Sequence, residues 1–339
     1  MGRWLLIRLL WLFVTLFGIT FVTFFVLDRA PVDRVELEVE KASRSNSYVD
    51  AKHRDESIQR LRIELGLIDP VTREALPVWS RYTTWLQKAM TLQLAGEGED
   101  HDALWRRLGE ALPVTMLLGG ISLSLALGCG MLIGVWLGRR TGRRRERFWS
   151  AVMLTAIGVP EFLFATLLLL TFSVVWVQWF PAGGLRSNGA EQWTFFWQLV
   201  DFAWHLALPV LVMSVAPIVM VTRFVRDAVA RASAAPFMTS LKALGVAPNV
   251  VSRRLLRHGA VPVATLAGGL LPMLVGGSII VENLFSLDGL GHLAFRAVLE
   301  QDQAIVMAIV LLTSLATLLS LLISDLLHRV VDARVRLTD

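Results

Sequence analysis

Residues 112–148 read LPVTMLLGGISLSLALGCGMLIGVWL followed by GRRTGRRRERF. No Asp, Glu, Lys or Arg interrupts Leu112–Leu137, and the run exceeds the roughly 20 residues an α-helix needs to cross a ~30 Å hydrocarbon core. Six arginines follow at once: Arg139, Arg140, Arg143, Arg144, Arg145 and Arg147. A short basic loop of this kind marks the cytoplasmic end of a span. Pro113 stands where a helix start tolerates it. Gly130, Gly134 and Gly138 recur every fourth residue. They share one helix face, so a second helix can approach closely; the alternative is a glycine-rich span with no special contact. Cys129 sits in the same run and is the chain's sole cysteine, which excludes an internal disulfide and is read as packing.

Working outward, the pattern repeats. The first apolar run covers Trp4–Leu27 behind Arg3. It is long, and Phe24-Phe25-Val26-Leu27-Asp28 offers no small-residue cleavage site, so an uncleaved span is expected. Further spans are expected at Trp149–Trp179, bent at Pro160, and at His205–Val225, Ala260–Val281 and Ala304–Leu327. Between them lie a long external segment, Asp28–Glu110, two shorter external loops, Phe180–Trp204 and Glu282–Gln303, and a basic stretch, Arg226–Gly259. Within the long segment the pattern predicts an amphipathic helix over Val49–Leu65. A second is expected over Val78–Leu94, whose Trp79, Tyr82 and Trp85 suit a membrane interface. The expected fold is an all-α integral membrane protein with six transmembrane helices, a long external loop after helix 1 and both termini cytoplasmic. Composition agrees: 55% of residues are hydrophobic, mean hydropathy is +0.57 and only 18% are charged, against about a quarter in soluble domains. The net charge of +5 collects beside apolar runs, where it sets topology; no nucleic-acid partner is implied.

The stretch after the fourth span reads APFMTSLKALGV over 235–246. Pro236 can open a helix and Gly245 can end it, which makes a short amphipathic helix. A second, basic helix over Asn249–Gly259 leads to Pro262 and the next span. A helix–glycine–helix elbow between two spans suits a docking surface for a cytoplasmic partner. This segment resembles the EAA loop of bacterial ABC importer permeases: Lys242-Ala243 stand at its basic-Ala positions, Gly245 at its glycine and Pro262 at its later proline. One feature departs, since Ala235-Pro236 stand where an acidic residue often opens the loop. Val281-Glu282-Asn283-Leu284-Phe285-Ser286-Leu287-Asp288-Gly289-Leu290-Gly291 resembles a signature of the dipeptide/oligopeptide/nickel branch. So does the C-terminal Asp325-Leu326-Leu327 with Asp332-Ala333-Arg334-Val335-Arg336. Upstream, Glu64-Leu65-Gly66-Leu67 and Arg81-Tyr82 are similar to the branch's first external loop.

The resemblance implies an ABC type I importer permease-like fold in a bacterial cytoplasmic (inner) membrane. It implies coupling to an ATPase through Phe237, Leu241, Lys242, Ala243, Gly245 and Pro262. The implied partners are a second homologous permease subunit, cytoplasmic ATPase subunits that hold ATP and Mg, and a periplasmic or lipid-anchored substrate-binding protein. This chain itself is expected to bind no cofactor. Short peptides are the implied cargo, with nickel or a nickel chelate as the alternative. The expected organisation is an N-terminal span (1–28), an external region (29–110), a permease core (111–328, coupling loop 229–260) and a cytoplasmic tail (329–339).

Other residues point less sharply. Glu161, deep in the third span, could line a pathway or make an interhelical contact. Glu282, Asp288, Gly289 and Gly291 could form an outer gate or simply build the loop. No phosphate-binding loop occurs, so ATP is expected on another chain. Nothing resembles a hydrolase constellation, and the chain is not read as an enzyme. His205, His258 and His292 fall in different segments, which argues against a shared metal. A stand-alone channel or secondary transporter would show inverted repeats or several midplane charges, and neither is visible.

Overall fold

The computed structural model describes residues 2–29, 58–59, 62–63, 68–69, 74–94, 101–175, 179–247, 250–251, 253–255, 263, 266 and 268–331. Most of the expected helix over Val49–Leu65, most of Asn249–Gly259, Pro262 and the 332–336 motif lie outside them. Among the described residues the secondary structure is helical apart from one isolated antiparallel bridge, Ile68–Ala75. Among the described residues four helices are long and apolar enough to cross a membrane, in Leu6–Asp28, His101–Gly138, Phe195–Ala234 and Gln303–Leu326. A fifth crossing results if Arg144–Gly158 and Glu161–Ser173 count as one broken span. The expected fifth span, Ala260–Val281, lies partly outside the described residues.

Contacts divide the chain into two units: Met1–Glu110 with Leu293–Leu315, and Ala111–His292 with Ala316–Asp339. In the first unit α1 (Gly2–Asp28) packs with α2 (Val78–Met90). Tyr82 is fully buried, with Phe17, Phe21 and Phe24 of α1 edge-on around its ring. Its hydroxyl lies 2.9 Å from that of Thr20, and Arg81 pairs with Asp28. Tyr82 is therefore packed against the first span. The helix also stops at Met90, short of the expected Leu94, because Leu92 takes a positive φ of 60°.

The second unit contains most of the remaining helices. Helix α3 (His101–Gly138) begins eleven residues before Leu112, so Pro113 lies inside it rather than at its start. Helix α4 (Arg144–Gly158) ends at Val159-Pro160, both extended, and α5 (Glu161–Leu169) leaves at 95°. Proline disfavours helical geometry in the residue before it, and Val159 is extended, so the expected bend is a full break. A π-helical turn, Leu170–Val175, continues α5.

Helix α6 (Phe195–Ala234) starts ten residues before the expected His205 and keeps Pro209 and Pro217 inside, as membrane helices tolerate. The preceding loop is anchored to it: Phe180 stacks on Trp204 at 4.3 Å. Asp201 accepts from the Ser187 amide at 2.8 Å and its hydroxyl at 2.6 Å. Helix α7 (Pro236–Ala243) follows. Then come α8 (Met273–Gly276), α9 (Ile279–Leu284), α10 (Leu290–Glu300) and α11 (Gln303–Val331). The Glu282–Gln303 stretch is thus mostly helical, not an open loop.

Two apolar clusters organise this unit. One joins Leu118 of α3, Ala165 of α5, Leu206 and Met213 of α6, and Val281 and Phe285. The other joins Val135 of α3, Val221, Val225 and Val229 of α6, and Met238 of α7. In the second, α3 and α6 approach through glycine. A Cβ on Gly130, Gly134 or Gly138 would stand 2.7 Å from Val221 Cβ, 2.7 Å from Val225 Cβ or 2.7 Å from the Arg226 carbonyl. With lipid as solvent, such close packing is a main source of helix–helix association.

Candidate functional site: a two-faced short helix and a buried carboxylate clasp

Helix α6 turns sharply into α7 at Ala235, which is extended (φ −70°, ψ 145°) because Pro236 follows it. Pro236 then occupies the first helical position, where a missing N–H costs nothing. At the other end Gly245 has φ +69°, and the Val246 amide donates to the Leu241 carbonyl at 3.2 Å. This is a Schellman closure, and it requires the left-handed conformation that glycine adopts freely. Met238, 1% exposed, and the half-buried Leu241 face the α3–α6 cluster. Phe237, Ser240, Ala243 and Leu244 face outward, Leu244 at 77% exposure. Lys242 lies in the last turn.

The base of α6 is also tied to the arginine-rich loop. Arg226 Nε donates to Glu146 Oε1 at 2.8 Å, and Gly142 N–H donates to Oε2 at 3.3 Å. Glu146 is 2% exposed although the arginines around it are open to solvent. Nothing in the sequence pattern singled out this pair, because one acid among six arginines looks incidental.

The second arrangement centres on Glu282, which has no exposed surface. Its Oε1 accepts from the Thr115 hydroxyl at 2.9 Å. Its Oε2 accepts from the amides of Gly291 (2.7 Å) and His292 (3.0 Å). Thr115 Oγ1 in turn accepts from the Leu290 amide at 2.8 Å. Together they satisfy the opening amides of α10, and a carboxylate at a helix N-terminus complements the helix dipole. Gly289 and Gly291 serve this clasp by lacking a side chain. A Cβ on Gly289 would stand 2.7 Å from Thr115 Oγ1, and one on Gly291 2.9 Å from Ile279 Cα. Neither has a positive φ, unlike Gly277 at +53°. Of the two readings, outer gate or loop building, this clasp gives Glu282 a role in building the segment, while Asp288 beside it is exposed.

Glu161 opens α5 at the break after Pro160, exposed, with Ser278 as its hydrogen-bonding neighbour. Glu282 lies one turn beyond Ser278 on α9, but its carboxylate is committed to Thr115 and α10. The two acids therefore belong to separate sites. Thr115 and Ser278 were not visible as site residues, since hydroxyls in apolar runs usually bond their own helix.

A sequence profile described as “Binding-protein-dependent transport system inner membrane component” matches residues 130–337. A putative peptide permease protein of Brucella ovis is 28% identical over 341 residues, covering 100% of both chains. The oligopeptide transport system permease protein AppB of Bacillus subtilis is 27% identical, covering 99% of both. The dipeptide transport system permease protein DppB of Lactococcus lactis is 26% identical, covering 99% of this chain and 100% of the other.

Proposed function

Given that the chain belongs to the binding-protein-dependent transport system inner membrane component family, the permease subunits of ABC importers, we propose that it translocates short peptides. A substrate-binding protein outside would deliver the cargo, and separate ATPase subunits would drive transport. The chain is a multi-pass membrane permease component and not an enzyme. Peptides are favoured over nickel because the relatives above are named for peptide, oligopeptide and dipeptide transport. In this reading both termini, the 139–147 loop and α7 are cytoplasmic, and a second homologous permease completes the pathway.

The observation that carries the reading is the two-faced α7. Met238 and Leu241 fasten it to α3 and α6, while Phe237, Ala243 and Leu244 form an apolar outer face. An ATPase groove that grips this face would move α6 with it, since only Ala235 separates the two helices. Docking here needs helix shape and apolar contact, so the alanine at position 235 removes one ion pair without removing the surface.

The test is uptake and co-purification of the ATPase subunits with Leu244→Asp and Phe237→Asp. Both variants should insert normally, lose at least tenfold in peptide uptake and release the ATPase. Normal uptake in both would refute α7 as the coupling element.

A further inference from the structure

Two helix breaks meet in the second unit. One is Val159-Pro160, between α4 and α5; the other is Gly277-Ser278, between α8 and α9. Helices α5 and α9 pack together, and the breaks bring Glu161 and Ser278 side by side. Ser278 is extended (φ −131°), and its Oγ accepts from the Val281 amide at 3.3 Å. Its hydroxyl proton is therefore available to the Glu161 carboxylate. Gly277 reaches φ +53° beside it, a conformation that suits glycine.

The surroundings are apolar and open. Phe162, Leu163, Ile279 and Ile280 are exposed by 55%, 41%, 48% and 42%. From Phe148, where its charged first turn ends, to Gly158, helix α4 covers roughly 16 Å of rise, which places the break near the middle of a ~30 Å apolar slab. A carboxylate at such depth cannot face lipid; it faces a water-lined path or a charged partner. Among the described residues, Ser278 is the hydrogen-bonding neighbour of Glu161 and no cationic side chain pairs with it. Paired interruptions in apolar helices are also where membrane transporters place their binding sites.

We propose that Glu161, oriented by Ser278 at the junction of these two breaks, is a cation-binding subsite of the translocation path that receives the ammonium group of a peptide cargo. The inference rests on the peptide-importer reading. The carboxylate replaces the water lost by the ammonium as the cargo leaves its binding protein, while the flanking Phe162 and Ile279 tolerate varied side chains. This makes Glu161 a specificity residue for a free amino terminus.

The experiment uses the complete importer in proteoliposomes, with binding protein saturated by each of two probes: a free-amine tripeptide and its N-acetylated counterpart. Saturation is verified by measuring both affinities for the binding protein. Wild type should move the acetylated peptide at least tenfold more slowly. Glu161→Gln should slow the free peptide to the acetylated rate and leave the acetylated rate within twofold. Glu161→Asp should recover most of the loss. The inference is overturned if wild type moves both probes alike, if Glu161→Gln leaves the free peptide unaffected, or if it slows both equally. It is also overturned if Glu161→Gln fails to co-purify with the second permease subunit, which would make the carboxylate an inter-subunit ion pair. Failure of wild type to move either peptide would instead remove the peptide reading itself.

Discussion

Thr115 and Glu282, 167 residues apart in the chain, share a buried hydrogen bond of 2.9 Å that ties α3 to the opening of α10. Thr115 both donates to the carboxylate and accepts from Leu290 N–H. Thr115→Val keeps the shape but strips the Leu290 amide of its acceptor, at a cost of about 1–3 kcal/mol. Thr115→Ser should restore most of it. Glu282→Gln still offers one oxygen to the Gly291 and His292 amides and should lose less than Glu282→Ala. Unfolding temperatures of the purified chain in detergent give the order; equal losses for Gln and Ala would refute the clasp.

The glycine face of α3 makes a sharper packing prediction. At Gly134 an added Cβ would meet Val225 Cβ at 2.7 Å and the Thr222 carbonyl at 2.8 Å. The second of these is backbone and cannot move aside by changing rotamer. Gly134→Ala should destabilise by about 1–3 kcal/mol, as overpacking does. Gly128, on the same helix, has nothing within 4 Å of its Cβ position. Gly128→Ala should be neutral or stabilise by up to about 1 kcal/mol through helix propensity. Thermal unfolding of the two variants side by side would expose any general intolerance of alanine in α3.

The two faces of α7 should separate folding from coupling. Met238 is 1% exposed and Leu244 77% exposed. Met238→Asp buries an unpaired charge and should abolish accumulation of folded protein. Leu244→Asp should leave accumulation unchanged. Membrane yield and monodispersity after extraction check this independently of transport. Comparable yields for both would mean that α7 does not pack as described.

The Glu146–Arg226 pair predicts an asymmetric double-mutant cycle. Removing Arg226 leaves a nearly buried carboxylate with only Ser150 and Gly142 as donors. Arg226→Met alone should therefore cost about 2–3 kcal/mol, discounted because Arg226 keeps 29% side-chain exposure. Adding Glu146→Gln should recover part of that loss. Denaturation of the single and double variants measures the coupling; strict additivity would show that the pair holds nothing.

Four long apolar helices and the short helix from Pro236 to the Gly245 stop were legible in residue order. Each depends on local rules: apolar run length, the fixed φ of proline, the positive φ of glycine, and charge beside a span. The proline at position 160 was legible as a bend but not as a 95° break, because the angle depends on what α5 packs against. Tertiary structure alone decided the rest. Glycines 130, 134 and 138 share a face by periodicity, but only the position of Val221, Val225 and Val229 shows that they leave no room for a methyl group. Glu282 was left by the sequence between an outer gate and a loop-building role. Its burial comes from Thr115 on a distant helix and from amides of α10, contacts that no local pattern encodes. Glu161 and Ser278 are separated by 117 positions, and only the folding of α5 against α9 makes them neighbours. Local backbone preference is written in adjacent residues. The partners that satisfy a buried polar group are set by how the helices come together.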